Sequence, residues 1–456
     1  MPSRKNLYLA VDIGGTKILA ALVDASGKVL SRQKCPTPRD KGPEPLFEAL
    51  DATISKMLAE NGNLKPRELR AMGIAVPGVV DPDEGLVIVT PNMGLSNTRL
   101  GDHCAKMFSM PVAIGNDCNT GILGEKWLGA ARRARSAMGI LVGTGIGGGF
   151  IQGSRVWRGA REAASEIGHI VMEINGPPCG CGNRGCLEAL ASRTAIERRL
   201  REAMAAGRPT ILSQLLDDET HVIRSNVLRQ AIEAGDPLVA EVLGFAADVI
   251  GHACLTVGHL LDPEVIVLGG GVIEACSHFM VPLIEGVVKS DCLIQATDGG
   301  GILVSSLGDD AVILGAAALA RQCVGEDPFK RRFAVAPSYR PIARRKSGGF
   351  QVNSKSFDSD FIVTASGKAK PKKVEPPRPS HDGRRHVQRW HLARACRGGP
   401  HVLFIAAGPA GDIELSDDAQ TYLKQRLIDW QIAPLDEAIE AYNASNERKA
   451  ALVFMT

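Results

Sequence analysis

Apolar residues in the first two-thirds of the chain form short runs that alternate with longer stretches of helical spacing. The run at 6–13 ends in a glycine-rich turn, and a second apolar run starts at residue 17, which indicates two adjacent strands. Further strands are predicted at 71–76, 110–114, 138–142 and 265–268, and helices at 45–60, 119–128, 189–205, 226–261 and 309–320. Strands and helices that alternate over such a length predict an α/β fold.

The character of the chain changes near residue 323. The formal net charge of the whole chain is only +3, yet residues 330–400 hold about 18 lysines and arginines against about four acidic residues. Proline, serine and glycine are also frequent, so residues 323–400 are predicted to form a basic, largely disordered linker. Such a stretch can bind nucleic acid or polyphosphate by charge alone, but a solvated linker is the simpler interpretation. Residues 401–456 regain strand and helix patterns and are predicted to form a small α/β module.

The turn between the first two strands, DIGGTK at 12–17, has the composition of a phosphate-binding loop. Its two glycines permit positive φ angles and let backbone N–H groups approach phosphate oxygens, while Thr16 and Lys17 add side-chain donors. Asp12 would repel a triphosphate unless a Mg²⁺ ion lies between them. The alternative is a plain glycine hairpin turn, because short glycine motifs are weak signals.

Two more glycine-rich turns follow predicted strands, GTGIGGG at 143–149 and GGG at 269–271. Neither has the spacing of a Walker A motif or of a dinucleotide fingerprint. A β-bulge or flexible loop is the alternative for the first of them. Three such turns, far apart in sequence, indicate a nucleotide held between two lobes.

Three of the 11 cysteines lie on one glycine-rich loop, at Cys179, Cys181 and Cys186, and His169 precedes the loop. One histidine and three thiolates complete a tetrahedral Cys₃His zinc site without an open position, so the zinc is expected to be structural. Disulfides or inert thiols are the alternative. Residues 1–15 contain no apolar run long enough for a signal peptide or membrane helix, so a cytoplasmic protein is expected, and disulfides are rare in that compartment.

Two pairs of polar residues are candidates for substrate chemistry. Glu166 and Glu188 flank the metal ligands, and a metal-bound loop would fix both carboxylates as acceptors for sugar hydroxyls. Solvated surface glutamates are the alternative. Asn116 and Asp117 lie between a predicted strand and a predicted helix, where Asp117 could remove the proton of an attacking hydroxyl. Helix capping is the alternative for this second pair.

Taken together, these segments resemble the ROK family of sugar kinases and repressors. The resemblance covers about residues 6–322, and the combination of EIGH with CGCGNRGCLE is specific to this family. The other matching stretches are AVDIGGTKI, GIAVPGVVD, PNM, NDCNTGILGE, LVGTGIGGGF, VIVLGGGV and LGDDAVILGAA. The resemblance implies an actin-like, RNase-H-related fold of two α/β lobes that close over ATP and a sugar. The small lobe would be 6–116 with the helix at about 311–322, and the larger lobe, 117–310, would carry the zinc loop.

The resemblance also implies a role for each candidate residue. Asp12 would lie near Mg²⁺, and Asp117 would be the base that activates the hydroxyl attacking the γ-phosphate. The residues that hold ATP would be Asp12, Gly14, Gly15, Thr16, Lys17, Thr144 and Gly145 at the phosphates and Gly270 at the adenosine. The sugar would be bound by Asn92, Asn116, Asp117, Glu166, His169 and Glu188.

The implied activity is ATP-dependent phosphorylation of a hexose, in the first place glucose at its 6-hydroxyl. Many glucokinases of the family continue the PN pair with Gly-Trp, but residues 92–96 lack tryptophan, so N-acetylmannosamine and N-acetylglucosamine stay open as substrates. Polyphosphate stays open as the donor. A sugar-sensing transcriptional regulator is a further alternative. A kinase is favoured because the first strand begins near residue 6, which leaves no room before it for a helix-turn-helix domain.

The resemblance further implies a homo-oligomer, a dimer or tetramer, with no membrane contact. The tail after residue 323 lies outside the family pattern. Truncation at residue 323 is therefore expected to leave phosphotransfer nearly intact.

Overall fold

The computed structural model describes residues 6–38, 42–90, 93–216, 222–295, 301–329, 339–365, 367–371, 385–396, 399–408, 413–426, 428–445 and 447–455. The chain divides into two compact units. The first unit takes its described residues from 1–132 and 309–456, and the second unit is 133–308. Each unit combines helices with mixed β-sheet, which confirms the predicted α/β class.

The amino-terminal part of the first unit is built on a five-stranded sheet. Its elements are β1 (Leu7–Ile13), β2 (Lys17–Asp24), β3 (Val29–Pro36), α1 (Pro43–Glu60), β4 (Met72–Val76), β5 (Val79–Asp81), β6 (Leu86–Thr90), β7 (Leu95–Thr98), α2 (Leu100–Phe108), β8 (Val112–Asn116) and α3 (Asp117–Leu128). The strand order is β3–β2–β1–β4–β8, and β5–β6–β7 form a separate small sheet. Strands β1, β2 and β3 are antiparallel, whereas β1, β4 and β8 run parallel. Every residue of β1 is buried except Asp12, which is half-buried.

The alanine-rich helix α11 (Ala311–Cys323) packs on this sheet and on α3. A Cβ atom on Gly315 would lie 1.7 Å from the carbonyl oxygen of Thr120 in α3, so only glycine lets the two helices approach this closely. Because α3 packs against α11, the first unit extends to Arg132. The sequence analysis predicted a boundary after residue 116, but the first unit ends after residue 132.

The second unit repeats the strand order of the first sheet. Its elements are β9 (Ser136–Val142), β10 (Ile146–Gln152), β11 (Arg155–Val156), α4 (Leu187–Ala191), α5 (Arg193–Ala205), α6 (Leu212–Leu215), α7 (Ser225–Glu233), α8 (Pro237–Leu261), β12 (Val265–Gly269), α9 (Gly271–Lys289), α10 (Cys292–Gln295) and β13 (Gly301–Val304). In the order β11–β10–β9–β12–β13, the strands β11, β10 and β9 are antiparallel, and β9, β12 and β13 run parallel, as in the first sheet. The two sheets therefore share one topology, although no long internal repeat is visible in the sequence.

Two features of the helices in the second unit modify the sequence prediction. The single helix predicted at 226–261 is interrupted between α7 and α8, because Gly235 has a φ of 78° and the Asp236 carboxylate caps α8 by accepting a hydrogen bond from Val239 N at 2.9 Å. Helices α8 and α9 also have the length and apolar composition of membrane spans. Their apolar residues contribute to the hydrophobic core of the unit, which accounts for that composition.

The prediction of a disordered linker at 323–400 is wrong for the part of it that the structure describes. The basic stretch contains β14 (Ile342–Arg344), β15 (Phe350–Val352), β16 (Lys355–Phe357), β17 (Phe361–Val363), β18 (Ala369–Pro371), β19 (Arg385–Val387) and α12 (Arg389–Leu392). The following segment contains β20 (Val402–Ala407), β21 (Ile413–Leu415), α13 (Asp417–Gln425), β22 (Asp429–Ala433), α14 (Leu435–Ala444) and β23 (Lys449–Phe454). In the sheet β18–β17–β23–β20–β22, a strand from the basic stretch pairs with the last strand of the chain. The described residues of 339–455 therefore form one folded domain, here called the carboxy-terminal domain.

The carboxy-terminal domain contacts the first sheet through a buried arginine. The Arg448 side chain belongs to a residue that is 4% exposed, and it donates to Gly27 O in the β2–β3 turn at 3.2 Å and to Gly399 O at 3.1 Å. A charged group that is buried in this way needs such partners, because leaving it unpaired costs several kcal/mol. The β2–β3 turn is therefore part of the surface on which this domain is docked.

The segment directly after α11 is also bound to the first sheet. The Glu326 carboxylate accepts hydrogen bonds from Tyr8 Oη at 2.7 Å, Arg321 Nε at 2.9 Å and Arg70 Nη2 at 3.3 Å. Burial alone would raise the pKa of Glu326, but these hydrogen bonds and the nearby arginine charges hold it below its usual value. Arg321 is only 4% exposed and also donates to Ala25 O at 3.0 Å. Glu326, which lies after residue 323, thus neutralises the buried charge of Arg321.

Candidate active site and metal centre

Two carboxylates lie at the same edge of the first sheet. Asp12 is near the carboxyl end of β1, and Asp117 follows β8 directly. Because β1, β4 and β8 run parallel, their carboxyl ends meet at one edge. Burial raises the pKa of Asp12 to about 6, the charge of Asp117 adds to this rise, and Lys17 opposes it. A buried acid beside a second acid is a setting that a bound cation would stabilise, so the pair fits Mg²⁺.

Both interpretations of the Asn116–Asp117 pair have a place in the structure. Asn116 is the N-cap of α3: its Oδ1 accepts from Asn119 N at 3.0 Å, and its Nδ2 donates to Gly78 O at 3.0 Å. Asp117 is the first residue of the helix, and its Oδ1 accepts from Cys118 N at 2.9 Å. Burial raises the pKa of Asp117, while the bond from Cys118 opposes the rise. The cap thus fixes the backbone from which the Asp117 carboxylate projects.

The first hairpin, formed by β1 and β2, has the predicted tight turn at its tip. Gly14 N donates to Lys17 O at 2.9 Å and closes the turn. Neither Gly14 nor Gly15 has a positive φ, so the part of the prediction that gave them positive φ angles is wrong. Gly15 instead leaves open space, because a Cβ atom there would meet nothing within 4 Å. Thr37, which the sequence analysis missed, fixes the turn by donating its hydroxyl to Gly14 O at 2.6 Å.

The second hairpin, formed by β9 and β10, has a turn closed by a hydrogen bond from Gly143 N to Gly145 O at 2.9 Å. One of its neighbours is a predicted sugar ligand. The Glu188 carboxylate accepts a hydrogen bond from Ile146 N at 2.9 Å. A Cβ atom on Gly145 would lie 2.2 Å from Glu188 Oε2, so a side chain there would displace the carboxylate from Ile146 N.

The start of α5 holds the tip of the second hairpin. Arg193 N donates to Gly143 O at 2.9 Å, and Arg193 Nη2 donates to Thr144 Oγ1 at 3.0 Å. Thr194 Oγ1 donates to Thr144 O at 2.8 Å. The sequence analysis missed Arg193 and Thr194, which follow the cysteine loop closely in sequence but gave no motif of their own. The only local signal was Ser192, the N-cap of α5, which accepts from Ala195 N at 3.1 Å.

The predicted zinc ligands come together in the second unit. One donor atom from each of His169, Cys179, Cys181 and Cys186 lies within 4.8 Å of all the others. His169 Nδ1 is 3.7 Å from Cys179 Sγ, and Cys181 Sγ is 3.7 Å from Cys186 Sγ. A tetrahedral zinc ion with bonds of about 2.3 Å to sulfur separates its ligands by about 3.8 Å. The four side chains therefore fit a structural Cys₃His zinc site.

Backbone contacts shape this loop before any metal is considered. Cys179 N donates to Asn183 O at 2.8 Å, which folds the first two cysteines into a tight turn. Gly185 has a φ of 68°, and a Cβ atom there would lie 1.7 Å from Glu173 O, so the position requires glycine. The glycines of the motif thus bring the third thiol back beside the other two.

The remaining predicted site residues are placed as follows. Glu166 is exposed and directly precedes a 3₁₀ turn at Ile167–His169, while Glu188 Oε1 lies 3.9 Å from Cys179 Sγ, so both border the metal ligands. Gly270 is the N-cap of α9 with a φ of 85°, and a Cβ atom there would meet Val142 O at 2.4 Å. Asn92 lies outside the described residues.

Comparison with known proteins identifies the family. The sequence model of the ROK family matches residues 8–323. The chain belongs to the ROK family. The glucokinase of Thermotoga maritima is 34% identical to this ROK protein over 327 residues, which are 71% of this chain and 100% of the relative. The DNA-binding transcriptional dual regulator NagC of Escherichia coli K12 is 29% identical over 316 residues, which are 69% of this chain and 75% of the regulator.

A solved structure agrees with this assignment. The crystal structure of a ROK family glucokinase from Streptomyces griseus, in complex with glucose and AMPPNP, matches with a TM-score of 0.58 and 32% identity. The match covers 69% of this ROK protein and 99% of the glucokinase. The predicted family and the actin-like sugar-kinase fold are thus confirmed for the matched part.

Proposed function

We propose that this ROK protein transfers the γ-phosphoryl group of ATP to the 6-hydroxyl of a hexose, with glucose as the first candidate. The observation that carries the proposal is the pair Asp12 and Asp117 at one edge of the first sheet. One acid of such a pair can serve the cation that accompanies ATP, and the other can serve the reacting hydroxyl. The glucokinase relatives, at 32% and 34% identity, support this activity.

Asp117 is assigned the role of general base. Its carboxylate takes the proton of the sugar hydroxyl as the hydroxyl oxygen forms its bond to the γ-phosphorus and the bond to ADP breaks. The raised pKa of Asp117 favours this role, because a base works best when its pKa lies closer to the working pH. Asn116 holds the helix start through its bond to Gly78 O and would also contact the sugar.

The two hairpins are assigned to the nucleotide. Gly14, Gly15, Thr16 and Lys17 would face the phosphates from the first hairpin, and Thr144 and Gly145 from the second. Gly270, at the start of α9, would border the adenosine. When bound with ATP, Mg²⁺ would neutralise charge on the phosphates, and Asp12 is the residue placed to hold it.

The sugar is assigned to the residues around the metal loop. In His169, Nδ1 faces the thiol of Cys179, which leaves Nε2 as the atom for a sugar hydroxyl. Metal binding at Nδ1 would fix the proton on Nε2 and make it a donor. Glu166 and Glu188 would accept hydrogen bonds from hydroxyls, and Asn92 would add an amide. Zinc at the Cys₃His site would supply structural stability to this loop.

Two other functions use the same fold. An N-acetylmannosamine or N-acetylglucosamine kinase keeps all the assigned chemistry and differs only in the sugar. A sugar-sensing regulator is favoured by the similarity to NagC, but it does not need the acidic pair. A cytoplasmic homo-oligomer that uses ATP fits the kinase proposal, and polyphosphate is the alternative donor.

The deciding experiment measures ADP release with glucose, mannose, fructose, N-acetylglucosamine and N-acetylmannosamine. Asp117→Asn should lower kcat by about 10² to 10⁴ while sugar binding, measured by calorimetry, is retained. Asp102→Asn, which changes an exposed acid of the same unit, is the matched control and should keep full activity. Sugar binding without ADP release in the unmodified protein would favour the regulator. Near-normal turnover of Asp117→Asn would remove Asp117 from the role of base.

A further inference from the structure

An arginine occupies an electrostatically unfavourable position at the second hairpin. Arg193 is the first residue of α5, where the positive end of the helix dipole disfavours a cation. Its ion-pair partner, Glu197, lies 3.3 Å from Arg193 Nη1 but is shared with Arg201, whose Nη2 lies 2.8 Å away. Two arginines therefore share one carboxylate. The start of α5 keeps a positive charge that these contacts do not neutralise.

The bond between Arg193 and Thr144 fixes the direction of the threonine hydroxyl. A guanidinium group only donates, so Thr144 Oγ1 must be the acceptor at 3.0 Å. The single hydrogen of that hydroxyl is then directed to another acceptor. Thr144 therefore presents a hydrogen-bond donor at the tip of the hairpin.

Arg193 has guanidinium N–H groups that these hydrogen bonds do not use. A guanidinium carries five N–H hydrogens, and the bonds to Thr144 and Glu197 use two of them. Among the described residues, no further side-chain bond of Arg193 is present, and its side chain is 22% exposed. The backbone bond from Arg193 N to Gly143 O fixes the residue against the turn. The result is a cationic, donor-only surface beside a glycine turn.

We infer that Arg193 and Thr144 act together as a binding pair for a phosphoryl group of ATP. This inference rests on the proposed function, to which it adds a nucleotide-binding residue. A planar guanidinium with free N–H groups matches phosphate oxygens in both charge and geometry, whereas a neutral sugar hydroxyl needs acceptors as well as donors. The helix dipole that opposes Arg193 in the free protein favours the same anion.

The test compares Michaelis constants for the two substrates. Arg193→Ala should raise the KM for ATP about 10-fold to 100-fold, the loss typical of a charged hydrogen bond, and leave the KM for the sugar within about two-fold. Thr144→Ala should raise the KM for ATP as well, and the double variant should be no worse than Arg193→Ala, because the two side chains act as one pair. Arg193→Lys, which keeps the charge without the fork, should fall between wild type and Arg193→Ala.

The matched control is Arg201→Ala, which removes the other arginine on Glu197 and does not touch the hairpin. It should lower the melting temperature as much as Arg193→Ala does and leave the KM for ATP unchanged. If Arg193→Ala does not fold, binding of a non-hydrolysable ATP analogue to Arg193→Lys, measured by calorimetry, replaces the kinetic comparison. Equal ATP constants in wild type and the Arg193 variants, or additive losses in the double variant, would overturn the inference. A wild-type protein without ADP release would instead overturn the proposed function.

Discussion

The first and second hairpins share their backbone chemistry and differ in the side chains around it. Each joins the first two strands of a sheet with the same strand order, and each turn is closed by a backbone hydrogen bond of 2.9 Å. In each, a threonine from another segment donates its hydroxyl to a turn carbonyl, Thr37 at 2.6 Å in the first and Thr194 at 2.8 Å in the second. The turns are similar but not identical, since Gly14 N bonds to Lys17 O whereas Gly143 N bonds to Gly145 O.

The difference lies in charge. The first hairpin carries Asp12, whose pKa is raised to about 6 by burial and by the charge of Asp117. The second hairpin is bordered by Arg193, which adds a cation and orients a hydroxyl. Asp12 thus favours a cation at the first hairpin, where Lys17 offsets part of its charge, and Arg193 favours an anion at the second hairpin. One supersecondary unit, used twice, thus acquires a different local charge through a few side chains.

Removal of the acid from the first hairpin should have the largest effect. If Asp12 holds Mg²⁺ as proposed, Asp12→Asn should lower kcat/KM at least about 100-fold, because the ion loses a charged partner. Steady-state ADP release at several Mg²⁺ concentrations measures this loss. The effect should shrink as Mg²⁺ is raised, and a loss that does not depend on Mg²⁺ would contradict the role of Asp12.

The same substitution should stabilise the protein when Mg²⁺ and nucleotide are absent. Burial and the charge of Asp117 raise the pKa of Asp12 from 3.8 to about 6, so the folded state binds this proton more tightly than the unfolded state. The stability that this proton supplies is present below the lower value and is lost as pH rises through about 6. Near pH 7.5, Asp12→Asn should therefore melt at a higher temperature than wild type, and the gap should close near pH 4. A gap that does not change with pH would show that ionisation of Asp12 is not its source.

Loss of the metal should act on the second hairpin. If the Cys₃His cluster holds zinc as proposed, Cys181→Ser removes one of its four ligands, and we expect the melting temperature to fall by about 10 °C or more. Because Glu188 contacts both Cys179 and Ile146 N, loosening of the loop should also raise the KM for ATP. Zinc content by atomic absorption and thermal melting measure the two losses together. Cys292→Ser, an exposed cysteine of the same unit, is the control and should change neither.

Two glycine substitutions distinguish a glycine that the folded structure needs from a glycine that ATP binding needs. At Gly145, a Cβ atom would lie 2.2 Å from Glu188 Oε2 and displace the carboxylate from Ile146 N, so Gly145→Ala should destabilise the protein by about 1 kcal/mol. At Gly15, a Cβ atom meets nothing within 4 Å, so Gly15→Ala should fold as well as wild type. If the first turn contacts phosphate through its backbone, Gly15→Ala should nevertheless raise the KM for ATP several-fold. Denaturant unfolding and the KM for ATP test both statements, and an unchanged KM would place the nucleotide away from this turn.

Local features of the chain could be predicted from the sequence. The strands that flank the glycine turns are apolar runs, and the Cys₃His donors lie within one short segment, so neighbouring residues carry the information. The contacts of Thr37 and Arg193 could not be predicted, because each depends on a segment that the fold brings near. The bond from Asn116 to the distant Gly78 had the same character, because β8 and the segment after β4 are brought together only by the fold.

The carboxy-terminal domain shows the limit of composition as a signal. Strand β17 is three residues long and pairs with β23, which lies near the other end of the domain. A run of three residues carries no measurable period, and the surrounding basic residues resemble a disordered linker. The apolar residues that fill its core, such as Phe361 and Phe404, are spread thinly along the sequence and come together only on folding.

The smallest expected effect on activity comes from removal of the carboxy-terminal domain by truncation after Phe329. Truncation after Phe329 keeps Glu326 and should leave both KM values nearly unchanged, with a loss of about 1 kcal/mol from the bond of Arg448 to Gly27 O. Truncation after Cys323, the boundary suggested by the family pattern, removes Glu326 and leaves Arg321 buried without its carboxylate. That change should cost about 3 to 5 kcal/mol.

Full-length Glu326→Gln should reproduce most of the loss, which separates the charge from the rest of the tail. Denaturant unfolding of the three proteins measures these losses. Equal stability of the two truncated proteins would show that Glu326 does not stabilise the first unit. A raised KM for the sugar in the protein that ends at Phe329 would give the carboxy-terminal domain a part in catalysis.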